Sequence, residues 1–340
     1  MHKSAIIAII IIVVIAVLAV SYLVYKAGTG RQSQAAFSNR TYSQKFCVNA
    51  VQNASAMQEA LANGITCFRT DIALNSSKED YVSNITNEGG QFLGILDYET
   101  VGAQPSPSGC VSGCNWTLAD WNASVYNAVL DYPEVDEWEI WNEPLVLNFA
   151  SGYENGSALD YYDMIKSAYL IIKKNDPNST VVCFGGAELY PFSYVQQEYA
   201  FYSAVWGYGA SQYCDAISLH AYTGASYDLN QSIGGATVYD EYNYTLNLYE
   251  NLTNKPIWIT ETGIPSNNWT TGINLSEQKQ ASFIVQDMEF FGNYSFVKRV
   301  YWFNLEDGGS GPDYGLLGAN ANPKPSWNAF LHFVGNSTKR

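Results

Sequence analysis

Basic residues are scarce in this chain: 17 Lys and Arg face 32 Asp and Glu over 340 residues, for a formal net charge of −15. A polyanion is held by cations that neutralise its phosphates, so nucleic acid is excluded as a partner. Histidine is scarcer still, with His2, His220 and His332 alone, and the six cysteines follow no zinc-ligand spacing. Neither a metal nor an organic cofactor is therefore expected. No Gly-rich phosphate loop follows the first strand-like run, which leaves a doubly wound open sheet without support. There is no internal repeat and no sign of a second domain. Charged residues make up only 14% of the chain. A surface that carries little charge suffers little self-repulsion once its carboxylates protonate, which suggests an acidic habitat.

Charge is missing altogether from residues 5–25, AIIAIIIIVVIAVLAVSYLVY. About 20 apolar residues suffice to cross the hydrocarbon layer, and the stretch exceeds the ~7–15 residues of a cleaved leader's apolar region. A membrane-spanning signal anchor is expected, after a short tail at 1–4 and before a polar tether at 26–43; a cleaved leader and a secreted product is the alternative. Fifteen Asn-x-Ser/Thr sites are spread from Asn39 to Asn336. That density favours a glycosylated domain, residues 44–340, outside the cell. Six cysteines agree with an oxidising compartment. Cys110 and Cys114 are close enough to staple one loop. Cys47 with Cys67, and Cys183 with Cys214, are candidate pairs, buried free thiols being the other reading.

Apolar strand-like runs alternate with helix-length segments from residue 44 onward. The strands are read at 45–49, 66–74, 91–99, 137–143, 180–189, 215–222, 256–262 and 299–307. Amphipathic helices are read at 55–64, 158–174, 276–292 and 326–334, the third opening on Ser276 and a glutamine taken to lie at capping-box spacing. Eight strands, each followed by a helix, predict a single (β/α)8 barrel. Strands that are apolar on both faces fit a parallel sheet covered on both sides.

Acidic residues recur where these strands end. Glu143 lies in EIWNEP (139–144) and Glu261 in IWITETG (257–263), with enough chain between them for three β/α units. Two carboxyl groups facing one another across a sugar are the minimal apparatus for cleaving a glycosidic bond. Trp138 and Trp141 bracket Glu143, and a carboxyl among indoles is expected to be partly desolvated and so harder to ionise, as a proton donor must be. Asn142 is placed to bond a sugar hydroxyl. Glu261 must stay ionised to act as nucleophile. Arg69, a charge within an apolar strand, needs a carboxylate partner: Glu261, Asp71 or Asp97. His220 and Tyr222 share one face at a strand's end, and the Tyr222 hydroxyl is expected to hold Glu261. Trp302 offers an apolar platform, while Asp97, Glu139, Glu188 and Glu306 are further acids able to bind hydroxyls.

These segments, with FRTDI (68–72), LGILDYE (93–99), SLHAY (218–222) and YWFNLED (301–307), resemble clan A glycoside hydrolases, most of all family 39 and the cellulase-like family 5, over about 44–334. The resemblance implies a (β/α)8 fold and retention of anomeric configuration. It also implies Glu143 as acid/base and Glu261 as nucleophile, with Asn142, Arg69, His220, Tyr222 and Trp302 around the cleavage point. A retaining enzyme sets its two carboxyls ~5–5.5 Å apart. The expected substrate is an extracellular β-linked polysaccharide such as a β-glucan, mannan, xylan or exopolysaccharide. Transglycosylation by the same residues, or glycan binding without catalysis, are the alternatives.

Overall fold

The computed structural model describes residues 44–49, 53–74, 80–97, 99–101, 117–145, 158–223, 228–233, 235–268, 273–308 and 312–337. The apolar stretch at 5–25, the tether and the Cys110–Cys114 staple lie outside them. No helix of the described residues is long and apolar enough to cross a membrane.

Eight parallel strands form a closed barrel: β1 (Phe46–Asn49), β2 (Cys67–Asp71), β3 (Gln91–Leu96), β4 (Glu137–Ile140), β5 (Thr180–Glu188), β6 (Ala216–Ala221), β7 (Ile257–Thr262) and β8 (Val297–Trp302). Each strand neighbours the next in sequence, and β8 pairs with β1 at Phe46↔Val300. Each is followed by a helix: α1 (Ala54–Ala62), α2 (Asp80–Asn87), α3 (Leu118–Asp131), α4 (Ala158–Asn175), α5 (Phe192–Gly207), α6 (Val238–Thr253), α7 (Glu277–Gly292) and α8 (Pro325–Ser337). The (β/α)8 expectation holds.

Local chemistry starts the helices. Thr117 with Asp120, and Thr237 with Asp240, form capping boxes that open α3 and α6. Ser276 caps α7 alone by accepting from the Lys279 amide. The residue three positions on is that lysine, so no glutamine closes a box there. Gln280 is instead buried and donates to the carbonyls of Ile264, Asp313 and Tyr314, pinning the chain that leaves β7 to the chain that leaves β8. The strand readings overran at their C-terminal ends, 66–74 against Cys67–Asp71 and 299–307 against Val297–Trp302. At the barrel rim the backbone leaves the ladder and bonds to loops, as in Leu305 N–H to the Asn49 carbonyl.

Period-two alternation sorts the strands into two layers. Cys47, Cys67, Leu93, Val182, Ala216, Trp258 and Tyr301 pack together as one cluster, while the larger core lies between strands and helices. In β4, Glu137 and Glu139 reach Arg299 of β8 and Arg69 of β2 across the barrel, at 3.1 and 2.6 Å. Their neighbour Trp138 belongs to the larger core beneath the helices. Disulfides join Cys47 to Cys67 and Cys183 to Cys214.

Candidate active site

The residues singled out on β2, β4, β6 and β7 converge at the C-terminal ends of the strands, where barrels of this kind place their chemistry. Arg69, 2% exposed, is their hub. Its Nε donates to Glu139 at 2.6 Å, Nη1 to Glu261 at 2.6 Å and to Asn49 at 3.0 Å, and Nη2 to the Asn142 side-chain oxygen at 2.7 Å. Of the three partners considered from sequence, Glu261 is the one bonded; Glu139 is the second carboxylate. Asn49, which sequence reading passed over, ends β1 directly opposite Arg69 and ties it to the Thr260 carbonyl of β7.

Glu261 also accepts from the Tyr222 hydroxyl at 2.6 Å, and its carboxylate lies 3.7 Å from Nε2 of His220. Burial pushes this carboxyl up, but His220, Arg69 and Tyr222 together outweigh burial and hold it below the usual carboxylate range. It is an ionised group in a low-dielectric site. Burial and the adjacent Glu261 push the Tyr222 hydroxyl well up, so it remains a donor.

Glu143 meets the other nitrogen of the same imidazole, His220 Nδ1, at 2.9 Å. Burial works against the charged form of His220, but Glu261 and Glu143 prevail and raise its pKa to about 9. Glu143 keeps 18% of its side chain exposed, against 9% for Glu261. Glu143 and Trp141 are non-glycine residues with φ of 45° and 69°. Such left-handed backbone costs on the order of 1–3 kcal/mol per residue and concentrates at functional sites. Here the turn is fixed by Trp141 N–H to the Leu96 carbonyl and Glu143 N–H to the Gly185 carbonyl. Gly185 lies in a bulge of β5 in which Phe184, Gly185 and Gly186 all have positive φ. A Cβ on Gly186 would sit 2.2 Å from His220 Nε2, so only glycine leaves room for the imidazole.

Not every predicted residue reaches this cluster. Trp141 packs against Trp121 of α3 at 5.9 Å, and Trp138 is wholly buried in the outer layer, so neither offers an open ring face. Trp302 is likewise fully buried, against Phe283 of α7, with its indole N–H bonded to the Tyr314 carbonyl. The aromatic at this edge is its successor Phe303, half-buried and edge-on to Tyr222 at 6.2 Å and to Tyr314 at 5.5 Å. Strand alternation past Trp302 was the signal for Phe303. Asp97 is fully buried beneath the rim, where it accepts from the Glu99 amide. Burial and nearby Asp71 push its carboxyl well up.

Glu188 ends β5 in register with His220 and is half-buried. Glu143, Glu188 and His220 bring potential ligand atoms within 4.8 Å of one another. Within the trio, His220 Nδ1 is already bonded to Glu143 at 2.9 Å.

Against known proteins, residues 193–330 match the family model described as glycosyl hydrolase catalytic core. Over that stretch, less than half of the chain, the sequence is similar to the catalytic core of glycosyl hydrolases. Among solved structures, the barrel is similar to a family 39 glycoside hydrolase from the gut symbiont Bacteroides cellulosilyticus WH2, with 22% identity and a TM-score of 0.64. That match covers 86% of this chain and 64% of the other, less than two thirds of its length. A glucosidase from Croceicoccus marinus matches at 14% identity and TM-score 0.60, covering 90% and 69% of the two chains. A family 128 endo-β-1,3-glucanase from Amycolatopsis mediterranei, bound to laminaritriose, matches at 18% and 0.54, covering 86% and 100%. These likenesses establish the shared barrel fold. No curated protein sequence matches the chain.

Proposed function

We propose that this protein is a glycoside hydrolase that cleaves β-glycosidic bonds of a polysaccharide with retention of configuration, Glu261 acting as nucleophile and Glu143 as acid/base. The carrying observation is that one buried imidazole lies between the two carboxyls, Glu143 on Nδ1 and Glu261 beside Nε2, while Arg69 and Tyr222 donate to Glu261 and not to Glu143. The environments of the two acids are thereby unequal, which is how paired carboxyls divide their roles. Glu261, held ionised, attacks the anomeric carbon as Glu143 gives its proton to the departing oxygen. Water then attacks the glycosyl-enzyme ester while Glu143 takes the water's proton, and Glu261 leaves as carboxylate. The resemblance to a laminaritriose-bound endo-β-1,3-glucanase favours a β-linked glucan among the candidate chains.

A 2-deoxy-2-fluoro glycoside with a good leaving group tests the assignment, because it slows breakdown of the covalent ester. Mass spectrometry of the trapped enzyme should find the label on Glu261; a label on any other side chain, or product of inverted configuration by proton NMR, overturns it. We further propose that residues 5–25 anchor the enzyme in the membrane with the barrel outside the cell, a reading supported by the fifteen sequons and the two disulfides. Peptide-N-glycosidase treatment of native protein should lower its mass.

A further inference from the structure

We propose that Tyr194 is the platform for the departing sugar, its ring lying against one face of the unit that leaves when the glycosidic bond breaks. The inference rests on the glycosidase reading above and extends it to the leaving-group side of the cleavage point.

The chemistry fixes the side. Glu143 gives its proton to the departing oxygen, so the sugar that carries this oxygen lies next to Glu143, while Glu261 works on the sugar that stays. Glu188, which ends β5, brings its carboxyl within 4.8 Å of both Glu143 and His220. A side chain held over Glu188 on the Glu143 side therefore borders the departing sugar. Leu189, Tyr190 and Pro191 alone connect Glu188 to α5. The Leu189 N–H donates to the His220 carbonyl at 2.9 Å, so α5 begins at the rim of the mouth.

Tyr194, Glu198, Tyr202 and Val205 recur at i, i+4, i+8 and i+11 in α5, which places them on one stripe. The last three are buried, and Glu198 Oε2 accepts from the Glu188 backbone N–H at 2.6 Å, so the stripe faces β5. Tyr194 lies one turn closer to the helix start than Glu198. A helical Cα–Cβ bond leans toward that start, which in a βα unit is the mouth side. Tyr194 thus rises above Glu188, and it is 38% exposed where the rest of its stripe is covered. Among the described residues its ring has no aromatic partner and its hydroxyl no hydrogen bond. Burial and the nearby Glu198, Glu188 and Glu143 carboxyls push the phenol up, so it stays neutral beside all three. The face of such a ring is weakly negative, and the carbon-bound hydrogens on one face of a pyranose are weakly positive, so the two surfaces attract. The occupant is therefore a pyranose unit that turns an apolar face to Tyr194.

Reactivation of the trapped full chain tests this. A 2-deoxy-2-fluoroglycosyl fluoride, which has no departing sugar, labels the enzyme; laminaribiose, cellobiose, xylobiose or mannobiose is then added, and loss of the label's mass is followed. The disaccharide takes the departing sugar's place: its hydroxyl attacks the anomeric carbon, Glu143 takes the hydroxyl proton, and the ester bond to Glu261 breaks. With the parent, at least one disaccharide should accelerate the loss and saturate. Tyr194→Ala should raise the half-saturating concentration about three- to tenfold, and Tyr194→Phe, which keeps the ring, should stay within about twofold of the parent. Labelling by the fluoride should slow by a smaller factor than this in Tyr194→Ala. The proposal is overturned by a parental half-saturating concentration in Tyr194→Ala, by equal losses in labelling and reactivation, or by no disaccharide accelerating the parent. If no labelled enzyme forms, the retaining reading falls on its own. Calorimetry of the matching tetrasaccharides then decides the platform: weaker binding by Tyr194→Ala upholds it, and equal binding or none overturns it.

Discussion

Arg69→Met is the most informative single change, because it removes a guanidinium that serves two buried carboxylates. The parent holds Glu139 at 0% side-chain exposure and Glu261 at 9%, each 2.6 Å from the guanidinium. Met fills most of the volume without the charge. Glu261 then still has the Tyr222 hydroxyl and the neighbouring His220. Glu139 has nothing: its Oε1 already lacks a partner among the described residues, and its Oε2 loses Arg69. Breaking one side of a buried ion pair costs about 3–5 kcal/mol, since an uncompensated charge stays behind. The loss here should fall in that range at neutral pH. It should shrink toward pH 4, because protonation removes the stranded charge in the folded state. Urea unfolding of parent and variant, followed by tryptophan fluorescence from pH 4 to 7, measures this directly. Adding Glu139→Gln to the variant should restore part of the stability, which isolates the pair. A loss below about 1 kcal/mol, or one that does not vary with pH, would refute the claim that Arg69 is held in place by these two charges.

Three further outcomes follow from the same geometry. Tyr222→Phe deletes a 2.6 Å donor to Glu261; a hydrogen bond to a charged group is worth about 1.5–3 kcal/mol, so kcat/KM should fall roughly 10- to 150-fold. The acidic limb of its pH profile should move upward, because a carboxylate that loses a donor protonates more readily, and an unmoved limb would contradict the role given to this tyrosine. Gly186→Ala drives a methyl into the His220 ring and strains a residue with φ of 84°, so activity should collapse even where the variant folds; a parental rate would show that the imidazole position is immaterial. Asp287 of α7 is buried, which pushes its carboxyl up to about 8 from the ordinary 3.8, and its Oδ2 lies 2.7 Å from the Thr262 hydroxyl, which is also 3.0 Å from the Ala221 carbonyl. With one hydroxyl proton for two acceptors, the second proton belongs to Asp287. The folded chain thus binds this proton more tightly than the unfolded one, and stability is greatest below about pH 4 and is lost as pH rises toward 8. Asp287→Asn, whose amide also donates to Thr262, should flatten that slope in thermal unfolding, and a slope equal to the parent's would remove Asp287 as its source.

The architecture was legible because it is written in periodicity and in residue types at strand ends. Apolar runs of strand length alternating with longer amphipathic segments leave few alternatives to a closed parallel barrel. Arg69 announced itself as a charge in an apolar strand, and the physical demand that such a charge be paired left Glu261, Asp71 and Asp97 open; Glu261 is bonded, together with Glu139, which was not among them. The H-x-Y spacing of His220 and Tyr222 put both on one face, and both reach carboxyls. Both strand-associated cysteine pairs were proposed from the barrel order, since neighbours in a ladder bring their Cα atoms to bridging distance, 5.0 and 5.7 Å here.

What sequence could not convey is where alternation breaks. Read as neighbours of Glu143 in the chain, Trp138 and Trp141 look like its walls. In the folded chain β4 sends Trp138 outward and Glu139 inward to Arg69, as a regular strand must. Regular alternation beyond it would send adjacent residues to opposite faces, yet Asn142 bonds Arg69 and Glu143 bonds His220. Both reach the mouth of the barrel only because Trp141 and Glu143 adopt left-handed backbone, which turns the Trp141 ring back under α3. That conformation is disfavoured for both residues taken alone, so no local propensity predicts it. It persists because the Leu96 and Gly185 carbonyls accept the two amides, and Gly185 is available only through the bulge in β5. The same bulge places Gly186 under the His220 ring. The position of the proposed acid/base is therefore a joint property of β3, β4, β5 and β6, and a motif of six residues on one strand carries only a quarter of it.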